Sequence, residues 1–228
     1  MSVTPAAPHP TDEALFQRWV AADAAAGQEL FKRHFDPLLH FFRRQLGDDV
    51  QDLVQQTFLG CIEARARYTT IANFRAFLFA IARNQLYKHI RRRSGQPAHV
   101  IGVSSIVALL PSPSRLISEG EDTAALVHAL TRLPLEQQLA LYFYYVVDMT
   151  APQTGAALGG LSVPAVRSRL RRGLEALRKL VGSALGQPAA ALTHTYATLD
   201  QWEANLPRLA PGEAEPDSDE LRFPVESE

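Results

Sequence analysis

The stretch DVQDLVQQTFLGCI, residues 49–62, indicates most clearly how this chain folds. Apolar or small side chains recur in it at intervals of three and four residues, at Val50, Leu53, Val54, Thr57, Phe58, Cys61 and Ile62. That period places them on one face of an α-helix. No alternation typical of β-strands occurs from residue 12 to residue 93. We therefore expect an all-α fold in which this face is turned to the core.

Apolar residues at helical spacing continue on both sides of this stretch and can bury one compact core. They are Leu15, Phe16, Trp19, Leu30, Phe31, Phe35, Leu38, Leu39, Phe42, Phe74, Phe77, Leu78, Ile81, Ala82 and Leu86. Residues 95–121 are rich in Gly, Ser and Pro and have no helical stripe, which is typical of a flexible linker. The predicted organisation is a disordered start (1–11), a helical domain (12–94), this linker, a second helical domain (122–182) and an acidic extension (183–228).

The charges of the chain are distributed unevenly. The formal net charge is only −1, but residues 63–93 carry eight Lys or Arg residues against one acid. Residues 167–179 carry six against one, whereas residues 200–228 carry nine acids against Arg208 and Arg222. Two basic blocks of this kind indicate a protein that binds a polyanion such as nucleic acid.

Several classes of function find no support in the residues. Cys61 is the only cysteine and the seven His residues are not spaced as metal ligands, so we expect neither a metal site nor a cofactor. The chain has no phosphate-binding Gly loop and no G-x-S-x-G motif, so we expect no enzyme. We also find no apolar run behind a basic start near residue 1 and no apolar run of about 18 residues, so we expect neither a signal peptide nor a membrane span. These features predict a cytoplasmic protein without membrane insertion.

Residues 150–181 have the pattern of a helix-turn-helix. Thr150 can cap a short helix, Gly159-Gly160 forms the turn, and Ser162 can cap the next helix. The inward stripe of that second helix would be Val163, Val166, Leu170, Leu174, Leu177 and Val181, and its outward side would carry Arg167, Ser168, Arg171 and Arg172. Such a helix can present its Arg side chains to base edges in the major groove. The alternative is an ordinary basic amphipathic helix on the surface of a bundle.

The helix that begins near Phe74 mixes aromatic and basic side chains on what we predict to be its outward face. These side chains are Phe79, Arg83, Asn84, Tyr87, Lys88 and Arg91. Aromatic rings stack on unpaired bases and cations neutralise phosphates, so this pattern is typical of a groove for a single strand. The alternative is that Phe79 and Tyr87 are core residues.

Two pairs of segments resemble the extracytoplasmic-function (ECF) group of bacterial sigma factors. DDVQDLVQQTFLGCIEARARY and NFRAFLFAIARNQLYKHIRRR, from residues 48 and 73, resemble region 2 of that group. LTRLPLEQQLALYFYYVVDMT and LSVPAVRSRLRRGLEALRKL, from residues 130 and 161, resemble region 4. The resemblance implies a region 2 bundle and a region 4 helix-turn-helix in a protein that binds core RNA polymerase and directs transcription initiation at promoters.

The resemblance also implies roles for particular residues. Polymerase docking falls on Asp52, Gln55 and Gln56, and melting and reading of the −10 element fall on Asn73, Arg83, Asn84 and Lys88. Reading of the −35 element falls on Arg167, Ser168, Arg171 and Arg172. Expected partners are core RNA polymerase and promoter DNA, with an anti-sigma factor as a further candidate. A stand-alone helix-turn-helix regulator is the alternative, but it leaves residues 12–94 without a purpose.

Two features depart from the family pattern. The turn LGGLS is one residue longer than usual, and Thr154-Gly155 stand where Ile-Ala is common, which leaves the angle of the reading helix open. Residues 193–206 space Tyr196, Leu199, Trp202 and Leu206 as a short amphipathic helix. The extension could be a disordered solubilising tail, an intramolecular mask that competes with DNA, or a docking segment for a regulator.

Overall fold

The computed structural model describes residues 9–46, 50–68, 70–94, 129–183, 197, 199–201 and 204. Its helices are α1 (Asp12–Val20), α2 (Ala24–Leu46), α3 (Gln51–Arg65), α4 (Phe74–Ser94), α5 (Leu135–Leu141), α6 (Ala151–Ala157) and α7 (Val163–Ser183), and a π-helical turn (Tyr142–Val146) continues α5. The described residues contain no strand, so the predicted all-α class is confirmed. The predicted linker and most of the predicted disordered start lie outside the described residues.

Side-chain caps explain where several helices begin. The Thr11 hydroxyl accepts a hydrogen bond from the Ala14 amide at the start of α1. At the start of α2, the Asp23 carboxylate accepts hydrogen bonds from two backbone amides. Thr150 and Gln153 form a reciprocal capping box at α6, which confirms the predicted cap at Thr150. These bonds satisfy amides that have no partner inside the helix.

An aromatic cluster joins the first four helices. Phe16 of α1 contacts Trp19 and two rings of α4, Phe74 and Phe77, with centroid separations close to 6 Å. Two residues of the predicted core face are nevertheless exposed: Phe35 by 44% and Ile62 by 43%. Their prediction as core residues was wrong, because α2 and α3 leave this side of the bundle uncovered among the described residues.

The second set of helices packs directly on the first. Phe143 of the π-helical turn contacts Phe41 of α2 and Phe79 of α4, at 5.7 and 5.5 Å between ring centroids. Arg75 of α4 donates a hydrogen bond to the Val147 carbonyl. One continuous apolar core therefore spans both sets of helices.

Candidate nucleic-acid interface

The helix-turn-helix is built by an unusually close turn. Gly159 and Gly160 have φ values of 93° and 85°, a conformation in which a Cβ is strained. The amides of Gly160 and Leu161 both donate to the Gly155 carbonyl. A Cβ added to Gly155 would lie 2.2 Å from the Leu161 carbonyl oxygen. The two departures from the family pattern are therefore linked, because the longer turn folds back onto α6 only where α6 has a glycine.

The inward stripe of α7 is as predicted for Val166, Leu170, Leu174, Leu177 and Val181, which are buried. Val163, also predicted there, is half-buried. The predicted DNA-reading side chains divide into two pairs. Arg171 and Arg172 are exposed, whereas Arg167 and Ser168 are half-buried. The Nε atom of Arg167 is buried without a hydrogen-bond partner in the described part of the chain.

Phe79 of α4 does not face outward. It is 0% exposed and lies between Phe41 and Phe143, with ring centroids 5.5 Å away in both cases. The prediction that Phe79 stacks on bases was therefore wrong for this arrangement, and the alternative of a core residue holds. The physical reason is that the second set of helices covers the side of α4 that the first set leaves open.

Arg83 and Tyr87 lie in the contact between the two sets of helices. Arg83 Nη1 donates to the Ala157 carbonyl at the end of α6, and its guanidinium lies 5.4 Å from the centroid of the Tyr87 ring. The Tyr87 hydroxyl donates to the Glu136 carboxylate, which also accepts a hydrogen bond from Arg169 of α7. Burial, with the nearby Glu136 charge as a second cause, raises the pKa of Tyr87 well above its usual range. Glu136 and Arg169 carry no motif, and the sequence prediction missed them.

The other residues predicted for the −10 element have different surroundings. Asn73 caps α4, since its side-chain oxygen accepts from the Ala76 amide at 2.8 Å. Asn84 and the exposed Lys88 line a cleft between α3 and α4 together with Arg67 and Tyr68. Arg91 is half-buried on the same helix. The lining also includes Glu63, Phe77 and Gln85, so the cleft brings together two aromatic rings, two cations, two amides and one carboxylate. The sequence prediction omitted Arg67 and Tyr68.

One of the three predicted polymerase-docking residues, Gln55, lines an apolar groove. Asp52 and Gln55 are exposed and Gln56 is half-buried along α3. The groove beside them is lined by Phe35, Gln51, Val54, Gln55, Phe58, Leu59 and Ile62. Leu59 is 50% exposed, so α3 presents apolar as well as polar side chains on this surface. The sequence prediction found only the polar half of this surface.

The described ranges contain neither a metal site nor a membrane-spanning helix. Within them, no group of three or more His, Cys, Asp or Glu residues is placed to hold a metal ion. None of the helices described there is both long and apolar enough to cross a membrane.

Comparison with known proteins assigns the family. Residues 30–96 match the family model "Sigma-70 region 2", and residues 123–177 match "Sigma-70, region 4". RNA polymerase sigma factor NccH of Alcaligenes xylosoxydans xylosoxydans is 31% identical over 180 residues, which cover 75% of this chain and 95% of NccH. The chain belongs to the sigma factors of bacterial RNA polymerase.

Further similarities place this sigma factor in the ECF group. CarQ of Myxococcus xanthus is 30% identical over 69% of this chain and 90% of CarQ. The ECF sigma factor SigF of Caulobacter vibrioides is 28% identical over 76% of this chain and 96% of SigF. The solved structure of CnrH in complex with the cytosolic domain of CnrY has the same fold, with a TM-score of 0.57 at 24% identity over 75% of this chain and 97% of that one.

These matches confirm the family predicted from the sequence and, with it, the function. This sigma factor binds core RNA polymerase and promoter DNA and directs transcription to promoters. The alternative of a stand-alone regulator is therefore set aside. The region 4 match ends at residue 177, before the end of α7 and before the acidic extension.

Proposed function

We propose that helices α1–α4 form the domain that docks on polymerase and opens the −10 element, and that α7 reads the −35 element. In this proposal the domains are residues 12–94 and 122–182, and the protein acts in the cytoplasm without catalysing a reaction itself. The single observation that carries the proposal is that one chain presents two separate surfaces with exposed Lys or Arg side chains, the α3–α4 cleft and the outer face of α7.

The exposed arginines of α7 support a reading role. Arg171 and Arg172 lie in the first half of α7. The other face of this helix carries the buried residues Val166, Leu170 and Leu174. An Arg guanidinium donates to two acceptors on guanine or pairs with a phosphate. Arg167 is only half-buried, so a rotation of its side chain would bring a third cation to the major groove of the DNA.

The cleft between α3 and α4 supports the capture of an unpaired strand. Tyr68 offers a ring for stacking, Arg67 and Lys88 offer cations, and Asn84 offers a donor and an acceptor for a base edge. A stacked base contributes on the order of 1–3 kcal/mol, which can offset the few kcal/mol that opening a base pair costs. We assign −10 recognition to this cleft and keep Arg83, Tyr87 and Arg91 as residues that reach DNA only after the two sets of helices separate.

The distance between the two promoter elements supports a separation of the two sets of helices on DNA. Elements centred near −10 and −35 are about 25 base pairs apart, which is about 85 Å along B-form DNA at roughly 3.4 Å per base pair. In the described structure, Glu136 contacts both Tyr87 of α4 and Arg169 of α7, so the two DNA-binding helices share a single side-chain partner. The arrangement described here is therefore a closed state that must open on the polymerase.

The mixed surface of α3 supports polymerase docking. The exposed side chains of Asp52 and Gln55 can make polar contacts with polymerase. Phe35, Leu59 and Ile62 add exposed apolar surface that polymerase would cover on docking. A further partner is proposed from the CnrH complex: a regulatory protein whose cytosolic segment binds this sigma factor, as the domain of CnrY binds CnrH.

Run-off transcription on genomic fragments tests the proposal, using purified core polymerase with and without this sigma factor. We expect new discrete transcripts, and permanganate footprints should detect unpaired thymines near −10. The double variant N84A/K88A should retain binding to core polymerase but lose most of the footprint. The double variant R171A/R172A should weaken promoter binding by about tenfold or more.

A matched control is K32A, which removes an exposed Lys from α2 and should leave transcription unchanged. If neither double variant changes transcription, the assignment of the two surfaces is wrong although the family stands. If the protein elutes with core polymerase but yields no transcript, the closed state is not released under the conditions used.

A further inference from the structure

The acidic extension contacts the helix that we propose reads DNA. Leu199 is 0% exposed and belongs to the same buried apolar core as Leu177 and Val181 of α7. The neighbouring Asp200 carboxylate forms an ion pair with the Arg178 guanidinium, also on α7. Asp200 therefore docks on α7 through charge, next to a leucine that is buried in the apolar core to which α7 contributes.

Arg178 lies on the same flank of α7 as two of the proposed DNA-reading residues. It follows Arg167 by eleven residues and Arg171 by seven. At 3.6 residues per turn, those separations are close to three and two whole turns, so the three side chains form one row along the helix. Asp200 is thus held at one end of the arginine row formed by Arg167, Arg171 and Arg178.

The residues after Asp200 carry the charge and the length to cover the rest of this row. They include the acids Glu203, Glu213, Glu215, Asp217, Asp219, Glu220, Glu226 and Glu228. The row from Arg178 to Arg167 measures about 16 Å along the helix axis. Glu213 follows Asp200 by thirteen positions, and an extended chain of that length spans up to about 40 Å, so it is long enough for the later acids to reach every arginine of the row.

We propose that the C-terminal extension competes with promoter DNA for the arginine row of α7, with Leu199 and Asp200 as its anchor. This inference rests on the proposed DNA-reading role of α7. A tail that only solubilises the protein has no need to bury a leucine, because burial orders a segment that would otherwise keep its conformational freedom. The anchor also raises the local concentration of the acids near the row, to the order of millimolar for a short tether.

Binding of a labelled duplex of about 30 random base pairs, followed by fluorescence anisotropy, tests the inference on the whole chain. Four proteins are compared with the full chain: one that ends at Ser183, L199S, D200N and the control D36N. D36N removes one negative charge from an exposed position on α2, outside the extension and outside the arginine row. Thermal melting by circular dichroism verifies that each variant is folded.

We expect the shortened chain to bind the duplex about fivefold more tightly or better, with L199S and D200N shifted in the same direction and D36N close to the full chain. The difference in duplex affinity between the full and the shortened chain should become smaller as the salt concentration is raised. Salt screens the attraction of the arginines of α7 for the acids as well as for DNA. The inference is overturned if the shortened chain binds no more tightly. It is also overturned if L199S and D200N behave like D36N, since the acids would then act without the anchor.

A failure of the proposed DNA-reading role of α7 gives a different experimental result from a failure of this inference alone. In the chain that ends at Ser183, R171A/R172A should weaken duplex binding. If these substitutions have no effect there, α7 does not read DNA, and both the proposed function and this inference fall. If they weaken binding while the extension makes no difference, only the inference falls.

Discussion

The guanidinium of Arg83 packs against Gly159 so closely that a Cβ on that glycine would lie 2.7 Å from Nη1. Nη1 also donates to the carbonyl of Ala157, 74 positions away in the sequence. Arg83, which the family resemblance predicted to contact the −10 element, is thus covered by the turn that precedes α7, the helix proposed to read the −35 element. Because one guanidinium cannot contact this turn and DNA at the same time, the contact must break before Arg83 reaches a promoter.

Replacing Glu136 by Gln should loosen the closed state. Glu136 accepts hydrogen bonds from Tyr87 and Arg169, and the neutral amide loses the charge-assisted part of the second bond. The Glu136 side chain is 44% exposed, so solvent screening keeps the effect below about 1 kcal/mol. Faster hydrogen exchange at the contact between α4 and α6 would reveal the change.

E175Q, at an exposed position on α7, is the matched control. Equal exchange in both variants would show that Glu136 does not hold the helices together.

Replacing Thr154 by Val should stabilise the protein. The Thr154 side chain is fully buried, and its hydroxyl has no hydrogen-bond partner among the described residues. Val has nearly the same shape and carries no polar atom, so we expect a gain of about 1 kcal/mol in the free energy of unfolding, measured with urea.

Thr57 provides the opposite case for this prediction. It is equally buried, but its hydroxyl donates to the Leu53 carbonyl at 2.7 Å. T57V should therefore lower the free energy of unfolding by about 1 kcal/mol. If both variants shift stability in the same direction, hydrogen bonding does not explain the difference between the two sites.

Replacing Gly155 by Ala should disturb the helix-turn-helix. The new Cβ would meet the Leu161 carbonyl at 2.2 Å, and a backbone atom cannot move aside without shifting the turn. We expect a loss of about 1–3 kcal/mol in stability and weaker binding to promoter DNA. G182A, at an exposed position near the end of α7, should be neutral or slightly stabilising. A stable G155A protein with normal DNA binding would contradict the close approach of the turn to α6.

Stability should fall as the pH drops below about 6.5, partly because of His34. Burial lowers the pKa of His34 from its ordinary value of 6.5, although the Asp12 carboxylate acts in the opposite direction. The unfolded chain therefore takes up a proton that the folded chain does not, so acid favours unfolding. Burial, with the charges of Arg93 and Arg92, lowers the pKa of His89 in the same way.

Urea unfolding at pH values on both sides of 6.5 tests the contribution of His34. H34Q should show a smaller loss of stability in acid than the unmodified protein. H40Q replaces an exposed histidine whose Nδ1 lies 2.9 Å from the Asp36 carbonyl oxygen, and it should keep the full pH dependence. If H34Q and H40Q lose the same amount of stability in acid, His34 is not a cause of that loss.

The sequence by itself determined the features that depend on neighbours a few positions apart. The period of Leu53, Val54 and Cys61 predicted α3, and the stripe from Val166 to Val181 predicted the buried face of α7. The cap at Thr150 and the glycine turn after α6 were likewise predicted. Each follows from helical geometry or from backbone hydrogen bonding within one turn, which the order of residues fixes directly.

Only the tertiary structure decided which helix faces meet. Phe79 is a core residue and Ile62 is exposed because of how whole helices pack, and Tyr87 finds Glu136 across 49 positions of sequence. Helix α4 is covered on two sides, so its apolar residues do not mark a single buried face. Helical period identifies a face but not its partner, and the partner determines whether Arg83 meets DNA or the turn at Gly159.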